Sequence, residues 1–109
     1  MGMSLHNKKC VPCEVKIPPM KLAEIEKYLA ELKSPWDVID NKKISREFKF
    51  KDFKEAVIFV NKMAELAENE GHHPDIHIFY NRVLVELWTH FIGGLSENDF
   101  ILASKIEIL

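Results

Sequence analysis

The sequence predicts an α+β domain in which three helices pack on one face of a four-stranded antiparallel sheet, in the order α-β-β-α-β-β-α. Three segments have apolar residues at steps of three and four, which is typical of helices with one buried face. Two pairs of β-rich runs alternate with these segments along the chain. Each pair is joined by a turn too short for a crossover connection, so its two strands are expected to be antiparallel neighbours.

The first helix is predicted over residues 19–33. Ser34-Pro35 ends it, because proline disfavours a helical conformation in the residue before it. Its apolar stripe consists of Leu22, Ile25, Leu29 and Leu32.

The first strand pair is predicted over residues 36–39 and 44–51, with Asp40-Asn41 as the turn signal. The second run alternates between apolar or long side chains and polar ones, as expected for a strand with one buried face. Its inward set would be Ile44, Arg46, Phe48 and Phe50.

The second helix is predicted to begin at Asp52, which has Glu55 three residues later, and to end at Gly71. Its apolar face is unusually wide, because Ile58, Phe59 and Leu66 extend it. Packing against another subunit would explain this width, and so would deep burial in the middle of the domain.

The second strand pair is predicted over residues 75–80 and 83–90, joined at Asn81-Arg82, with His90 ending the last strand. Period two places Leu84, Glu86, Trp88 and His90 on one face of that strand. The last helix is predicted from Ser96 to Ile106, with Ser96 and Asp99 as its capping pair.

Length and composition indicate one globular domain. With 109 residues, 47% hydrophobic and 29% charged, the chain suits a single core, which we assign to residues 19–109 after an extended lead-in at residues 1–18. A net charge of −2 provides no basic surface for direct binding of nucleic acid. No apolar run is long enough to span a membrane and the first residues do not resemble a signal peptide, so we expect a cytoplasmic protein.

Two cysteines form a Cys10-x-x-Cys13 pair within the lead-in. This spacing occurs in redox pairs and in half-sites for zinc. The neighbouring prolines argue against the helix start that a redox pair usually occupies, and a structural zinc site would need further ligands. We therefore expect no catalytic role for these thiols and no metal site.

A spaced set of histidines and carboxylates is the main functional signal. Histidine exchanges protons near neutral pH, since its unperturbed pKa is about 6.5. Several histidines close to carboxylates therefore indicate general acid–base chemistry on a small molecule. The set comprises Glu68, His72, His73, Pro74, Tyr80, His90 and Asp99.

These residues, at these separations, resemble the signature of the pterin-4a-carbinolamine dehydratases, and the likeness extends over about residues 15 to 109. Outside the signature it includes Trp36, the segment at residues 48–53, and Gly94-Leu95-Ser96-Glu97. The resemblance implies the α+β fold predicted above. It also implies that a 4a-hydroxytetrahydropterin loses water to give a quinonoid dihydropterin, in tetrahydrobiopterin recycling, without a cofactor or a metal.

The resemblance also implies roles for individual residues. His72 and His90 would be the acid and base, and His73 would hold and orient the pterin. The remaining residues would contribute to substrate binding: Glu68 by supporting the histidines, Trp36 by lining the pocket, Pro74 beside the histidines, and Asp99 by binding or by holding its loop.

Two other functions stay open at this point. Animal members of the family also serve as dimerisation cofactors of a transcription factor, and a pterin-binding protein without physiological dehydration is the second possibility. Family members form dimers or tetramers, which would account for the wide apolar face of the second helix. We expect a homodimer or a homotetramer with a small-molecule pterin as its partner.

Overall fold

The computed structural model describes residues 4–11 and 17–109, and its elements follow the predicted order. The helices α1, α2 and α3 span Leu22–Leu29, Phe53–Glu70 and Glu97–Ile106. The strands β1 to β4 span Asp37–Ile39, Lys43–Lys49, Asp75–Phe79 and Arg82–Leu87. They form one antiparallel sheet in the spatial order β1-β2-β4-β3. The predicted fold class is confirmed.

The core lies between one face of the sheet and the helices. In β4, Val83, Val85 and Leu87 are fully buried, whereas the residues between them are only half-buried. This period-two pattern directs the apolar face of the central strand toward α2 and α3. Burying each such side chain contributes about 1.5–3 kcal/mol. From α3 the core receives Phe100, Ile101, Leu102, Ala103 and Ile106.

The ends of α2 are where the sequence predicts them. The Asp52 carboxylate accepts a hydrogen bond from the Glu55 backbone N–H at 2.9 Å, and Gly71 ends the helix at φ 66°. A left-handed conformation there suits glycine, which has no Cβ to clash with the preceding turn. The chain therefore leaves α2 sharply, directly into His72.

The wide apolar face of α2 is buried on one side only. Phe59 and Met63 belong to the core, but Phe53 and Ile58 are about half exposed. Deep burial of the whole helix is therefore the wrong explanation for its width. The side of α2 that carries Phe53 and Ile58 stays exposed in a single chain.

The first helix begins three residues later and ends four residues earlier than predicted. It ends at Leu29, and the next amides bond three residues back instead of four, at Glu31 N to Tyr28 O and Leu32 N to Leu29 O. The following amides at Lys33 and Ser34 then donate to the carboxylate of Glu107 beyond the end of α3. Hydrogen bonding to a distant side chain replaces the helical bonds that periodicity alone predicted.

The predicted position of His90 at the end of a strand is wrong. The last strand ends at Leu87, Thr89 bridges to Gly94, and His90 begins a 3-10 turn that ends at Ile92. The β3–β4 connection is also displaced by one residue and consists of Tyr80-Asn81. At both places the backbone forms other hydrogen bonds instead of continuing the β3–β4 pairing. Asn81 bonds to Phe50, and Thr89 bonds to Gly94.

The described part of the lead-in packs on the domain and is not simply extended. Leu5–Asn7 form a 3-10 turn, and the side chain of Leu5 is buried. Val11 exchanges two hydrogen bonds with the Asn98 side chain in α3. The prediction about Cys13 lies outside the described residues, and the division of the chain at residue 18 stays a prediction. None of the described helices is long and apolar enough to cross a membrane.

Candidate active site

An open cavity of about 400 Å³ lies where the chain leaves α2 and where β3 begins beside the end of β4. Three of the predicted site histidines meet there from two separate segments of the chain. The lining residues are Gly71, His72, His73, Pro74, Asp75, Trp88, Thr89, His90 and Phe91. The cavity therefore brings together residues that are almost 20 positions apart in the sequence.

His72 is bound to a buried carboxylate. Its Nε2 lies 2.6 Å from Oδ1 of Asp99, and the two side chains are 10% and 0% exposed. When a carboxylate accepts a hydrogen bond from one imidazole nitrogen, it fixes the ring's orientation and its tautomer. With Nε2–H directed at Asp99, Nδ1 is the nitrogen left to exchange a proton with a ligand.

Asp99 is itself fixed by hydrogen bonds. Its second oxygen, Oδ2, accepts hydrogen bonds from the Thr89 hydroxyl at 2.8 Å and from the Ser96 backbone N–H at 3.0 Å. Asp99 is also in the first turn of α3, where the helix dipole favours a negative charge. Asp99, which the sequence predicted as a capping residue of α3, is thus also the hydrogen-bond partner of His72.

The segment that carries His72 is anchored just before it. Glu70, the last residue of α2, accepts hydrogen bonds from Lys105 Nζ at 2.6 Å and from the Cys10 backbone N–H at 2.9 Å. Burial alone would raise the pKa of Glu70, but the hydrogen bonds from Lys105 and Cys10, together with the positive charge of Lys105, lower the pKa below its ordinary value. The end of α2 is therefore tied to both α3 and the lead-in.

His73 and Glu68 form an exposed pair beside the cavity. His73 Nε2 lies 3.4 Å from Glu68 Oε2, and both side chains are more than half exposed. An ion pair in this setting contributes little energy, about 0–1 kcal/mol. The resemblance implied that Glu68 supports the histidines, and the structure pairs it with His73.

His90 lines the cavity from the segment that follows β4. Its ring stacks on the indole of Trp88, with 3.8 Å between the ring centroids and 28° between the planes. The indole N–H donates to Oδ2 of Asp75 at 3.1 Å. His72 and His90 therefore line the same cavity but are held by different contacts.

Trp36 lies apart from the other site residues. It does not line this cavity; its ring is buried in the core against Phe48, and its N–H donates to Glu107 Oε1 at 2.9 Å. Its contact with a substrate stays a prediction. Conversely, the sequence analysis assigned no site role to Asp75 or Trp88, both of which line the cavity. Their positions in the sequence, directly after His72-His73-Pro74 and two residues before His90, were the one signal that could have identified them as site residues.

Within residues 4–11 and 17–109, no group of three or more histidine, cysteine, aspartate or glutamate side chains is arranged to hold a metal ion. The chemistry that the cavity itself offers is proton transfer. Three histidines line a small open cavity, and one of them is oriented by a buried carboxylate. Such a site on a small α+β domain defines an acid–base enzyme that acts on a small molecule.

Comparison with known proteins then gives the family. The sequence profile of the family described as "Pterin 4 alpha carbinolamine dehydratase" matches residues 18–109. A protein from Rickettsia bellii, provisionally named a pterin-4-alpha-carbinolamine dehydratase, is 49% identical over 106 residues, covering 97% of this chain and 94% of its own. A protein of the same provisional name from Alkaliphilus metalliredigens is 46% identical over 104 residues, covering 95% and 94%.

A solved structure agrees in fold. A crystal structure from Brucella melitensis, titled "transcriptional coactivator/pterin dehydratase", superimposes with a TM-score of 0.76 at 37% identity, covering 83% of this chain and 96% of that one. The protein belongs to the pterin-4a-carbinolamine dehydratase family. The resemblance seen in the sequence is confirmed.

Proposed function

We propose that the protein removes water from a 4a-hydroxytetrahydropterin in the cytoplasm and so takes part in the recycling of tetrahydropterin. The observation that most supports this function is the contact between His72 and Asp99 at the edge of a cavity that His90 also lines. This arrangement belongs to a chain of the dehydratase family, so the class of reaction and the chemistry of the side chains agree.

The proposed reaction needs only proton transfers. The C4a–O bond breaks and the hydroxyl leaves as water after it is protonated. N5 loses its proton, and the electron pair of the N5–H bond forms the C4a=N5 double bond of the quinonoid dihydropterin. One general acid and one general base with affinities for protons near neutral pH are sufficient, and we assign these roles to His72 and His90.

The other signature residues are proposed to bind and orient the pterin. His73 and Pro74 line the cavity, and Glu68 contacts His73 from outside it. Asp99 is proposed to act through His72, since its carboxylate oxygens already contact His72, Thr89 and Ser96. Its role is then to hold the histidine rather than to touch the substrate.

The test is a direct assay with enzymatically generated 4a-hydroxytetrahydropterin. His72→Ala and His90→Ala should each lower the rate by about 10²–10⁴-fold, the range typical of lost acid–base catalysis. His77→Ala is the matched control, because His77 is exposed on β3 and pairs with Glu86 outside the cavity. Near-normal turnover by the double variant His72→Ala, His90→Ala would contradict the assignment.

Replacement of His73 should act mainly on binding. We expect His73→Ala to raise KM by a larger factor than it lowers kcat, because a residue that binds ground state and transition state equally changes KM alone. The opposite pattern would exchange the proposed roles of His72 and His73.

A further inference from the structure

We infer that Trp88 is a positioning residue for His90, and that Asp75 and Lys43 hold Trp88 in place. The inference rests on the proposed function, because it assigns a supporting group to one of the two proposed acid–base residues. It starts from the contrast between the two histidines. Among the described residues, the His72 ring is hydrogen-bonded to Asp99, whereas the His90 ring stacks on Trp88.

His90 needs such support because of its location. It is exposed, and it begins a short 3-10 turn outside the sheet, so strand pairing does not fix its backbone. Acid–base catalysis depends on the distance between the reacting atoms, and displacement by about 1 Å can cost on the order of 10²-fold in rate. A ring at 3.8 Å restricts rotation of the imidazole about its side-chain bonds.

Trp88 is itself held from two neighbouring strands. Asp75, the first residue of β3, accepts the indole N–H at 3.1 Å. From β2, Lys43 places its Nζ 5.3 Å from the centroid of the indole ring, within the range of a cation–π contact. Ile44 of β2 is opposite Leu87 of β4. If this register is continued by one residue, Lys43 is opposite Trp88.

The chain of contacts links the two halves of the site. Asp75 directly follows His72-His73-Pro74, and through the indole it determines where the His90 ring lies. The edge of the cavity is therefore one connected structure, in which each histidine is fixed with respect to the other. Trp88 also lines the cavity, so a role in substrate binding alone is the alternative that the experiment must separate.

The first measurement does not depend on turnover. In NMR spectra, the ring protons of His90 should be shifted upfield by the indole ring current, and the shift should be lost in Trp88→Leu but largely kept in Trp88→Phe. His90→Ala identifies the signals. Unshifted His90 signals in the wild-type protein would overturn the inference.

The second measurement uses steady-state kinetics. Trp88→Leu should lower kcat about tenfold or more, without exceeding the loss in His90→Ala, while Trp88→Phe retains most of the rate. Asp75→Ala should lower kcat only to about the level of Trp88→Phe, and it should cause no further loss in the Trp88→Phe background, where no indole N–H remains. Leu22→Ala is the control, because Leu22 is a half-exposed apolar residue on α1 that lies outside the cavity.

The double variant decides between positioning and binding. If Trp88 acts through His90, Trp88→Leu should cause no further loss of kcat in the His90→Ala background. Two results would overturn the positioning role. One is that Trp88→Leu lowers kcat by the same factor in the His90→Ala background as in the wild type. The other is that Trp88→Leu alone raises KM and leaves kcat unchanged. An inactive wild-type protein with shifted His90 signals would refute the proposed reaction, whereas an active one with unshifted signals would refute this inference.

Discussion

At the scale of single residues, the most consequential contact is the one between His72 and Asp99. Three polar groups contact the completely buried carboxylate of Asp99: the His72 ring, the Thr89 hydroxyl and the Ser96 amide. The Thr89 hydroxyl also lies 2.7 Å from the Ser96 hydroxyl. A buried network of this kind is stable only when each member has its partner. Its chemical consequence is a histidine with one fixed tautomer.

We predict that Asp99→Asn lowers kcat by about 10²–10⁴-fold, since an amide no longer holds the imidazole in the required tautomer. KM should change much less. Because the substitution also disturbs a buried network, unfolding by denaturant must be measured on the same variant. Ser104→Ala is the control, since Ser104 is buried in α3 but donates to Ile101 away from Asp99. Normal kcat in a folded Asp99→Asn variant would contradict the role of Asp99.

Cys10 provides a second test at this scale. Burial, with the nearby Glu70 carboxylate as the next cause, raises the pKa of the Cys10 thiol to about 12. Its Sγ lies 3.5 Å from the Asn98 carbonyl oxygen, to which it donates. Since only the thiolate reacts, the thiol should be nearly inert at neutral pH.

In a Cys13→Ser variant, where Cys10 is the remaining thiol, we predict that iodoacetamide at pH 8 modifies the folded protein at least about 10²-fold more slowly than the unfolded protein. Mass spectrometry during a time course measures both rates. Equal rates would show that the lead-in does not stay packed on α3.

At the scale of elements, Glu70 connects the end of α2 to α3 and to the lead-in. The Glu70 and Lys105 side chains are 10% and 16% exposed, so their ion pair is largely shielded from water. Removing one partner of such a pair leaves the other charge uncompensated, which is more costly than losing an exposed pair. This contact lies two residues before His72.

We predict that Glu70→Gln lowers the free energy of unfolding by about 1–3 kcal/mol at pH 7. Because folding lowers the pKa of Glu70 from 4.5, its contribution is fully present above pH 4.5 and is lost as the pH falls through the folded-state value. The difference between wild type and variant should therefore shrink below pH 4.5. Denaturant titrations from pH 7 to pH 3 measure it.

The control for this experiment is Glu26→Gln, which removes an exposed carboxylate on α1. Its effect on stability should be small at every pH. A Glu70→Gln effect that is equally small, or that grows toward low pH, would contradict the role given to the Glu70–Lys105 pair.

At the scale of the whole molecule, two apolar surfaces stay exposed on a single chain. Phe53, Ile58 and Leu109 are 51%, 45% and 44% exposed. The edge strand β3 adds Ile78 and Phe79, at 41% and 48%. Large exposed apolar patches and unpaired strand edges usually mark interfaces. A small domain also gains stability from the burial that association provides.

We predict a homodimer or a homotetramer in solution, as closed symmetric assemblies are the common outcome. Light scattering at micromolar concentration should show no appreciable monomer. Ile58→Lys and Ile78→Lys should each reduce the mass or the stability of the assembly if α2 and β3 form interfaces. Leu22→Lys, a change at an exposed position of α1, is the control. A fully active species of 12.7 kDa would contradict this prediction.

Local sequence was sufficient for much of the fold and for the three histidines that line the cavity. Apolar periodicity identified the three helices and the central strands β2 and β4, which bury one face. The strands β1 and β3, which contain no buried residue, were recognised as β-rich runs next to a turn. Asp52, Gly71 and Ser96 indicated helix ends through the hydrogen bonds and backbone angles that those positions require. The histidines stood out through their spacing and their chemistry.

What the sequence determined by itself is therefore the order of elements, the faces that they bury and the set of residues that could perform acid–base chemistry. Only the tertiary structure decided how those residues pair: Asp99 with His72, Glu68 with His73, and Trp88 with His90. The physical reason is that local patterns follow from neighbours within one turn or one strand. A contact across 27 positions, such as that of His72 with Asp99, exists only because α3 packs against the end of α2.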